Sequence, residues 1–565
     1  MKQTVSDKKT FTQRIEQFFH KPLVEIVLLV LITIVYWSNY SANFNRKVDM
    51  NGDNIYYFAL GQALADGKGY VNTIGFTETP HTHFPPGYPA YIALLQKIAP
   101  DNQQFIKKAD GTLLFAAIIL LFFLLKKLTG SVLIPFCACL LSSVQVDVLR
   151  FGSMMMSEPL YMFCSMVILY LALILQNSDL LDYHKWQNYV LLVVFLFFVA
   201  YVQFVRTIAL ALVLSLLLWL VVCAIKYGIK WLKQHDTVSK RRFFHFCLLF
   251  SLVLLSWYIP KQVWDARQEA VGKTGVAYQS QFMQKSGGGT MQTYDDWAER
   301  IGNNTRRHIV GYVPQAIFRT NWFPDQPTSI SNWIVGICVL LLLLLGLFNM
   351  RQSAWLILFY VGATMAVLIL YAQEYSTERY FIAIIPFFFF LFLNGAAYLI
   401  HLVLHKLFKI ESTRVWQSLL VVVITFILIP THVEAQESNR RMSQIKSWKS
   451  LGQSAFTDYI SSAQWCGANL PDTARIYCRK PEIFYMYSNY HHSEMIPVNV
   501  EPDAVIAFFE QHHTQYVILD SWFPHAYRTI YPAVMAYPQR FELIHQEGKF
   551  DERQRSYPTF VLRFR

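Results

Sequence analysis

Residues 22–42 read PLVEIVLLVLITIVYWSNYSA. A stretch of this length and composition is what a helix needs to cross the ~30 Å hydrocarbon core of a bilayer. Working outward from it, apolar runs of the same kind recur at about 109–126, 131–149, 157–176, 188–204, 207–225, 243–260, 332–350, 353–372, 380–404 and 416–432. With the first they predict about eleven spans. The composition agrees, because 565 residues that are 54% hydrophobic and 15% charged, with 44 Phe and 32 Tyr, carry more apolar side chain than a soluble core can use. Met1–His20 is polar and the first run has spanning length, so the start of the chain is read without a cleaved signal peptide.

The net charge of +12 raises the question of nucleic acid, but the basic residues sit in short loops between apolar runs. Lys2, Lys8, Lys9, Arg14 and Lys21 precede the first run, Lys126 and Lys127 follow the second, and Lys226, Lys230, Lys233, Lys240, Arg241 and Arg242 follow the sixth. Arg351 follows the eighth, and Lys406, Lys409 and Arg414 the tenth. Simple alternation puts them all on one side, which the positive-inside rule makes cytoplasmic. The expected organisation is a cytoplasmic segment 1–21, a transmembrane domain 22–432 with outer loops 43–108 and 261–331, and an extracytoplasmic segment 433–565.

That last segment turns polar and alternates. Strand candidates at Ala474–Cys478, Tyr516–Asp520, Phe541–Gln546 and Thr559–Arg565 separate helical stretches near 447–466, Pro481–Asn489 and Pro502–His512, predicting a small soluble α/β domain. Six of the eight cysteines fall in apolar runs; Cys466 and Cys478 share the tail, where an oxidising compartment would permit a disulfide.

The predicted outer face carries the unusual residues. Asp53-Asn54-Ile55-Tyr56-Tyr57 follows the first run and leads to Gly67-Lys68-Gly69-Tyr70 and His83-Phe84-Pro85-Pro86-Gly87-Tyr88-Pro89. Asp53 opens a short amphipathic helix with Tyr57 and Leu60 on adjoining turns. It reads either as a helix N-cap or as a general base at headgroup level, with Asp49 as the competing base. Ser157-Glu158-Pro159 opens the fourth run; Ser and Pro suit a helix start, yet a Glu at the membrane edge calls for a polar partner, whether substrate, Arg206 or a metal. Arg206 lies between two runs and reads as a snorkelling residue or a phosphate ligand. Arg379 reads as a partner of Glu378 or as a second phosphate ligand. His81 and His83 are too few for a metal site by themselves.

In this order, Asp53 before a Tyr-Tyr helix, Pro85-Pro86-Gly87-Tyr88-Pro89, Ser157-Glu158-Pro159-Leu160, Arg206-Thr207 and Glu378-Arg379-Tyr380 with Pro386, the chain resembles the GT-C fold integral membrane glycosyltransferases. In particular it resembles bacterial relatives of the protein O-mannosyltransferases and of the lipid A aminoarabinose transferase. The resemblance covers about 22–432, and 433–565 resembles the soluble domain that often ends such chains. It implies an inverting transfer from a polyprenyl-phosphate sugar at the outer face of the cytoplasmic membrane to a glycan, glycolipid or protein acceptor, with no nucleic acid. Asp53 and Glu158 are the implied catalytic acids, and Tyr57, His83, Arg206, Glu378 and Arg379 the substrate-binding residues. Asn54 stands where many relatives have a second acid, and no clear ligand set is seen, so neither a metal nor another cofactor is expected.

Two other functions compete. A lipid or polysaccharide transporter would place charged residues mid-membrane, whereas these runs are almost free of them. An oligosaccharide ligase or polymerase would carry an outer loop rich in Arg and His, for which Arg300, Arg306, Arg307 and His308 are candidates. In the tail, Trp465, Tyr485, Tyr487 and Trp522 read either as acceptor contacts or as core.

Overall fold

The computed structural model of the chain describes residues 21–48, 51–178, 180, 185–272, 282–285, 289–319, 329–350, 354–373, 376–410, 413–452, 454–522, 524–550 and 557–565. Asp49, the segment through residue 20, Arg351 and Gly287-Gly288 lie outside the described residues. The chain divides into two compact units, one of residues 1–44, 107–153 and 157–440, the other of 45–106, 154–156 and 441–565.

The first unit is a helical bundle, and each apolar run becomes a helix: α1 (Pro22–Asn43), α2 (Gln103–Thr129), α3 (Leu133–Val144), α4 (Glu158–Asn177), α5 (Trp186–Val205), α6 (Ala209–Gln234), α7 (Thr237–Ala270), α8 (Ile330–Asn349), α9 (Ala354–Leu370), α10 (Ile385–Lys406) and α11 (Arg414–Ala435). Among the described residues nine helices are long and apolar enough to cross a membrane. The exceptions are α3 and α9, whose 12 and 17 residues reach about 18 and 26 Å. The run at 131–149 is not continuous, because Gln145 is extended and its side-chain oxygen accepts from Val148 N (2.7 Å), starting a separate helix Val146–Phe151.

α10 is the axis of this unit. Every residue from Ile385 to Ala397 is buried, including Phe387–Phe390, as expected of a helix that is apolar all round. It meets α8 backbone to backbone: a methyl group on Gly395 would stand 1.9 Å from the Leu342 carbonyl oxygen, and one on Gly346 2.1 Å from that of Leu391. Asn394 seals the contact by donating to Gly346 O (2.7 Å) and accepting from Asn349 (3.0 Å). On α1, Tyr36 donates to Gly111 O (2.6 Å) and Tyr40 to Lys107 O (2.7 Å), tying it to α2. Lys107 and Asp110 of α2 are fully buried, an exception to the expectation of almost charge-free spans.

The second unit joins two distant pieces of chain. Helices Asp53–Ala65 and Gly87–Ile98 form a hairpin around a ribbon of β1 (Val71–Asn72) and β2 (Thr79–Pro80). The tail folds as a five-stranded mixed sheet of β3 (Ile476–Cys478), β4 (Ser493–Met495), β5 (Tyr516–Leu519), β6 (Phe541–Glu547) and β7 (Thr559–Phe564), in the order β4-β3-β5-β7-β6. The β4-β3-β5 pairings are parallel and the rest antiparallel. Residues 73–76 run along the β4 edge, where Ile74 O accepts from Ser493 N (3.1 Å) and Thr73 O lies 2.8 Å from His492 Nδ1. They cover an edge that would otherwise stay open. The expected strands are all present; β4 and the helix Pro524–Ala536 are additional. Cys466 and Cys478 are free thiols in the core of this unit, so no disulfide links them.

Candidate functional site

In the bundle, three expected residues converge. Glu158 is the first residue of α4, after the cap position Ser157. The Ser157 hydroxyl makes no capping bond and instead accepts from Arg206 Nη1 (3.1 Å). Arg206 sits where the chain is extended between α5 and α6, and its Nη1 lies 2.5 Å from Glu158 Oε1. Arg379, on the 3-10 turn Glu378–Phe381, donates from Nε to the same oxygen. The ring of Tyr380, its neighbour, lies under the Arg206 guanidinium at 4.9 Å. Glu158 is 1% exposed, and its Oε2 is buried with no hydrogen-bond partner among the described residues.

Two guanidinium groups thus meet on one buried carboxylate oxygen. The carboxylate itself sits at a helix N-terminus, where the macrodipole favours negative charge. Arg206 is 7% exposed and turns inward rather than snorkelling. Glu378 is exposed and takes no part; among the described residues it makes no ion pair.

The turn that carries Arg379 is braced from the loop 261–331. Helix Tyr294–Thr305 opens on a capping box of Thr293 and Asp296 and runs into a π-helical turn, Arg306–Tyr312. Arg300 donates to Phe282 O (2.6 Å), Asn304 to Ile369 O and Tyr371 O (2.9 and 2.8 Å), and Arg307 to Gln373 O (3.0 Å). Arg300 also donates to Leu370 O (3.3 Å), so Arg300, Asn304 and Arg307 together satisfy carbonyls at and just past the end of α9. His308 is fully buried and held neutral, its pKa pulled down to about 4 by burial first and then by the Arg307 charge. Its Nε2 lies 2.8 Å from the Ser376 hydroxyl, which donates to Leu368 O. Its ring and that of Tyr312 pack on Phe381 at 5.2 and 5.7 Å.

Asp53 lies in the other unit, half-buried, at the first position of its helix. The cap is Gly52, with φ +95°, so Asp53 is not the N-cap residue. That left-handed backbone favours glycine, and a side chain there would meet Glu482 Oε1 at 3.0 Å. Glu482 is itself in the first turn of a helix, Pro481–Tyr487, and pairs with Lys480 (3.3 Å). Tyr56, one residue short of a full turn from Asp53, has its hydroxyl pushed up to about 12 by burial first, then by Glu482, Cys478 and Asp53. Tyr57 is buried in the hairpin, with Phe84 and Tyr88 at 4.8 and 5.1 Å. His83 is exposed, its ring edge-on to Phe84 at 4.7 Å. His81 is buried and its Nε2 accepts from Phe84 N (3.0 Å).

Two acids escaped the reading of the sequence. Glu482 was hidden in the tail, where Lys480-Pro481-Glu482 reads only as a helix start. Asp147 pairs with Arg319 (2.7 Å), 172 residues away, and also accepts from Gln145 (2.9 Å). Among the described residues no three His, Cys, Asp or Glu side chains converge as metal ligands.

The sequence matches no protein-family model, and no curated protein is significantly similar to it. Solved structures do match. An oligosaccharyltransferase of Archaeoglobus fulgidus tethered with an acceptor peptide superposes with a TM-score of 0.55 at 12% identity, over 89% of this chain and 70% of that one. The archaeal oligosaccharyltransferase AglB from Archaeoglobus fulgidus, in complex with an inhibitory peptide and a dolichol-phosphate, gives 0.53 at 12%, over 96% and 74%. ArnT from Cupriavidus metallidurans, bound to undecaprenyl phosphate, gives 0.55 at 9%, over 95% and 97%. The chain therefore has the GT-C fold of polytopic membrane glycosyltransferases, as its sequence led us to expect.

Proposed function

We propose that this protein is a membrane glycosyltransferase that moves a sugar, with inversion, from a polyprenyl-phosphate-linked donor to an acceptor on the outer face of the cytoplasmic membrane. The observation that carries the reading is the Glu158–Arg206–Arg379 cluster on a GT-C fold. A donor phosphodiester has one negative charge, and the departing lipid phosphate gains a second as its bond to the anomeric carbon breaks. A fixed positive site then binds the transition state more tightly than the ground state, which is the condition for catalysis. Two solved structures of this fold hold lipid phosphates, undecaprenyl phosphate in one and dolichol-phosphate in the other.

Asp53 is assigned as the general base that takes the proton of the attacking acceptor hydroxyl. Glu158 is assigned as a positioning residue, because a carboxylate already shared by two guanidinium groups is a poor proton acceptor. No role is assigned to a metal. The acceptor is read as a glycan or glycolipid.

The ligase reading rested on Arg300, Arg306, Arg307 and His308. Three of these are spent on holding the end of α9 and the loop after it, which favours the transferase.

The test is turnover of a panel of labelled polyprenyl-phosphate sugars by purified protein beside Asp53→Asn. Consumption of one donor by wild type, and loss of it in a folded Asp53→Asn, is the expected result. Equal turnover by both moves the base elsewhere. Turnover of diphosphate-linked glycans alone overturns the proposed donor class.

A further inference from the structure

A general base must be held still, and the helix that carries Asp53 does little to hold it. Its cap residue is Gly52, which has no side chain to bond the first turn, and no side-chain cap bond is made there. A glycine is also the residue type freest to change its backbone angles. The first turn hangs from this joint, because Gly52 O accepts from Ile55 N and Tyr56 N (3.0 and 3.1 Å). A productive carboxylate has to stay within about 0.5 Å of its working position.

The constraint comes from the tail, within the same compact unit. Helix Pro481–Tyr487 meets the Asp53 segment at successive points along its length. Tyr487 donates to Val48 O (3.1 Å). The Glu482 side chain covers the open face of Gly52, with Oε1, Cγ and Cδ at 3.0, 3.6 and 3.7 Å from where a methyl group would stand. Ile483 and Phe484 share a buried core with Ile55, and Tyr485 packs with Ala59. This helix is itself tied down. It begins soon after β3, and Lys480 O accepts from Phe484 N (3.0 Å) and from the buried Tyr459 hydroxyl (3.0 Å).

Of these contacts, the one made by Glu482 falls on the residue next to Asp53. Glu482 is 5% exposed, and burial of a carboxylate is costly unless it is paired, as Lys480 pairs it here (3.3 Å). The Tyr56 hydroxyl feels the charges of both Glu482 and Asp53, so the two carboxylates lie in one neighbourhood.

We propose that Glu482 is the positioning residue of Asp53: by filling the space beside Gly52 it fixes the direction in which the Asp53 carboxylate meets the acceptor hydroxyl. The proposal rests on the reading of Asp53 as the base. The contact is one of shape, so an amide of the same outline serves as well as the carboxylate. The tail thus acts on the reaction through the base.

The experiment compares Glu482→Ala and Glu482→Gln in the full-length protein, each alone and combined with Asp53→Asn. With a polyprenyl-phosphate donor, Glu482→Ala should lower kcat about 10- to 100-fold, the effect of a misplaced reacting group, and leave the donor KM within about threefold. Glu482→Gln should stay within about threefold of wild type in both. In the Asp53→Asn background Glu482→Ala should cost nothing further, because a residue that works through the base has no effect once the base is gone. Hydrogen exchange gives a readout independent of turnover: the Ile55 and Tyr56 amides should exchange about fivefold faster or more in Glu482→Ala, with those of Tyr516–Leu519 unchanged. Unchanged exchange at Ile55 and Tyr56 overturns the proposal. An equal loss in Glu482→Gln does so too, since it would mark a role for the charge, as does a further loss in the Asp53→Asn background, which would mark general loosening. Full turnover by Glu482→Ala beside an inactive Asp53→Asn overturns this proposal alone, whereas full turnover by Asp53→Asn overturns the base assignment and the proposal together.

Discussion

Arg379→Gln is the sharpest perturbation of the cluster in the bundle. In wild type, Glu158 Oε1 is shared by Arg206 and Arg379. Removing Arg379 takes one positive charge from the cluster and leaves Arg206 paired with Glu158. A unit charge about 4 Å from a phosphate oxygen is worth roughly 4 kcal/mol at an effective dielectric near 20. Arg379 is 21% exposed in its side chain, and solvent screening lowers this to about 2–4 kcal/mol. At ~1.4 kcal/mol per tenfold, kcat/KM for a polyprenyl-phosphate donor should fall about 30- to 1,000-fold. Stability should barely change, by about 1 kcal/mol, because Glu158 keeps Arg206. Glu158→Gln should behave in the opposite way, costing about 3–5 kcal/mol of stability by leaving two inward-facing cations without their anion. The assay is steady-state turnover of the donor by both variants, with thermal unfolding in detergent alongside. Turnover by Arg379→Gln within threefold of wild type, or a loss of stability equal to that of Glu158→Gln, would refute the reasoning.

Other consequences can be checked separately. Asp53→Asn should lower kcat by about 10²–10⁴ in a protein that still folds, since Gly52 and not Asp53 caps the helix. Gly395→Ala should destabilise the bundle by about 3 kcal/mol or more, read as a lower unfolding temperature, because its methyl would meet the Leu342 backbone rather than a movable side chain. Asp458, its carboxyl pushed up to about 6 by burial first and then by Glu547, favours the protonated form in the folded state. That contribution is fully present below about pH 4 and is lost as pH rises through about 6, so Asp458→Asn should raise the unfolding temperature at pH 8 and leave it unchanged at pH 3.5. Treatment with EDTA should leave turnover within twofold of untreated protein.

What the sequence revealed depended on whether the signal was local. The spans, the break at Arg206 and the buried Phe387–Phe390 stretch all follow from runs of apolar residues, and each is where periodicity and length place it. Ser157, Glu158, Arg206 and Arg379 were each visible as unusual, but each also had a bland local explanation. The structure removes those explanations: the Ser157 hydroxyl is taken by Arg206, and Arg379 passes over adjacent Glu378 for Glu158, 221 residues away. No local pattern encodes that pairing. β4 was missed because three residues on a sheet edge carry no alternation, and Glu482 because its helix start looks like any other.

The second unit has a consequence for how the protein is made. Residues 45–106 leave the ribosome early, yet the strands they pack beside belong to 441–565. At about 5–20 residues per second the intervening chain takes roughly 20–70 s to appear. Throughout that interval the Asp53 helix must wait without the helix that bears Glu482 and without the β4 edge that residues 73–76 cover. A nascent or truncated chain lacking its last hundred residues would thus hold a complete set of membrane helices and an unsupported Asp53 hairpin. Chaperones and proteases would meet the defect near the N-terminus, although the lesion lay at the other end of the gene.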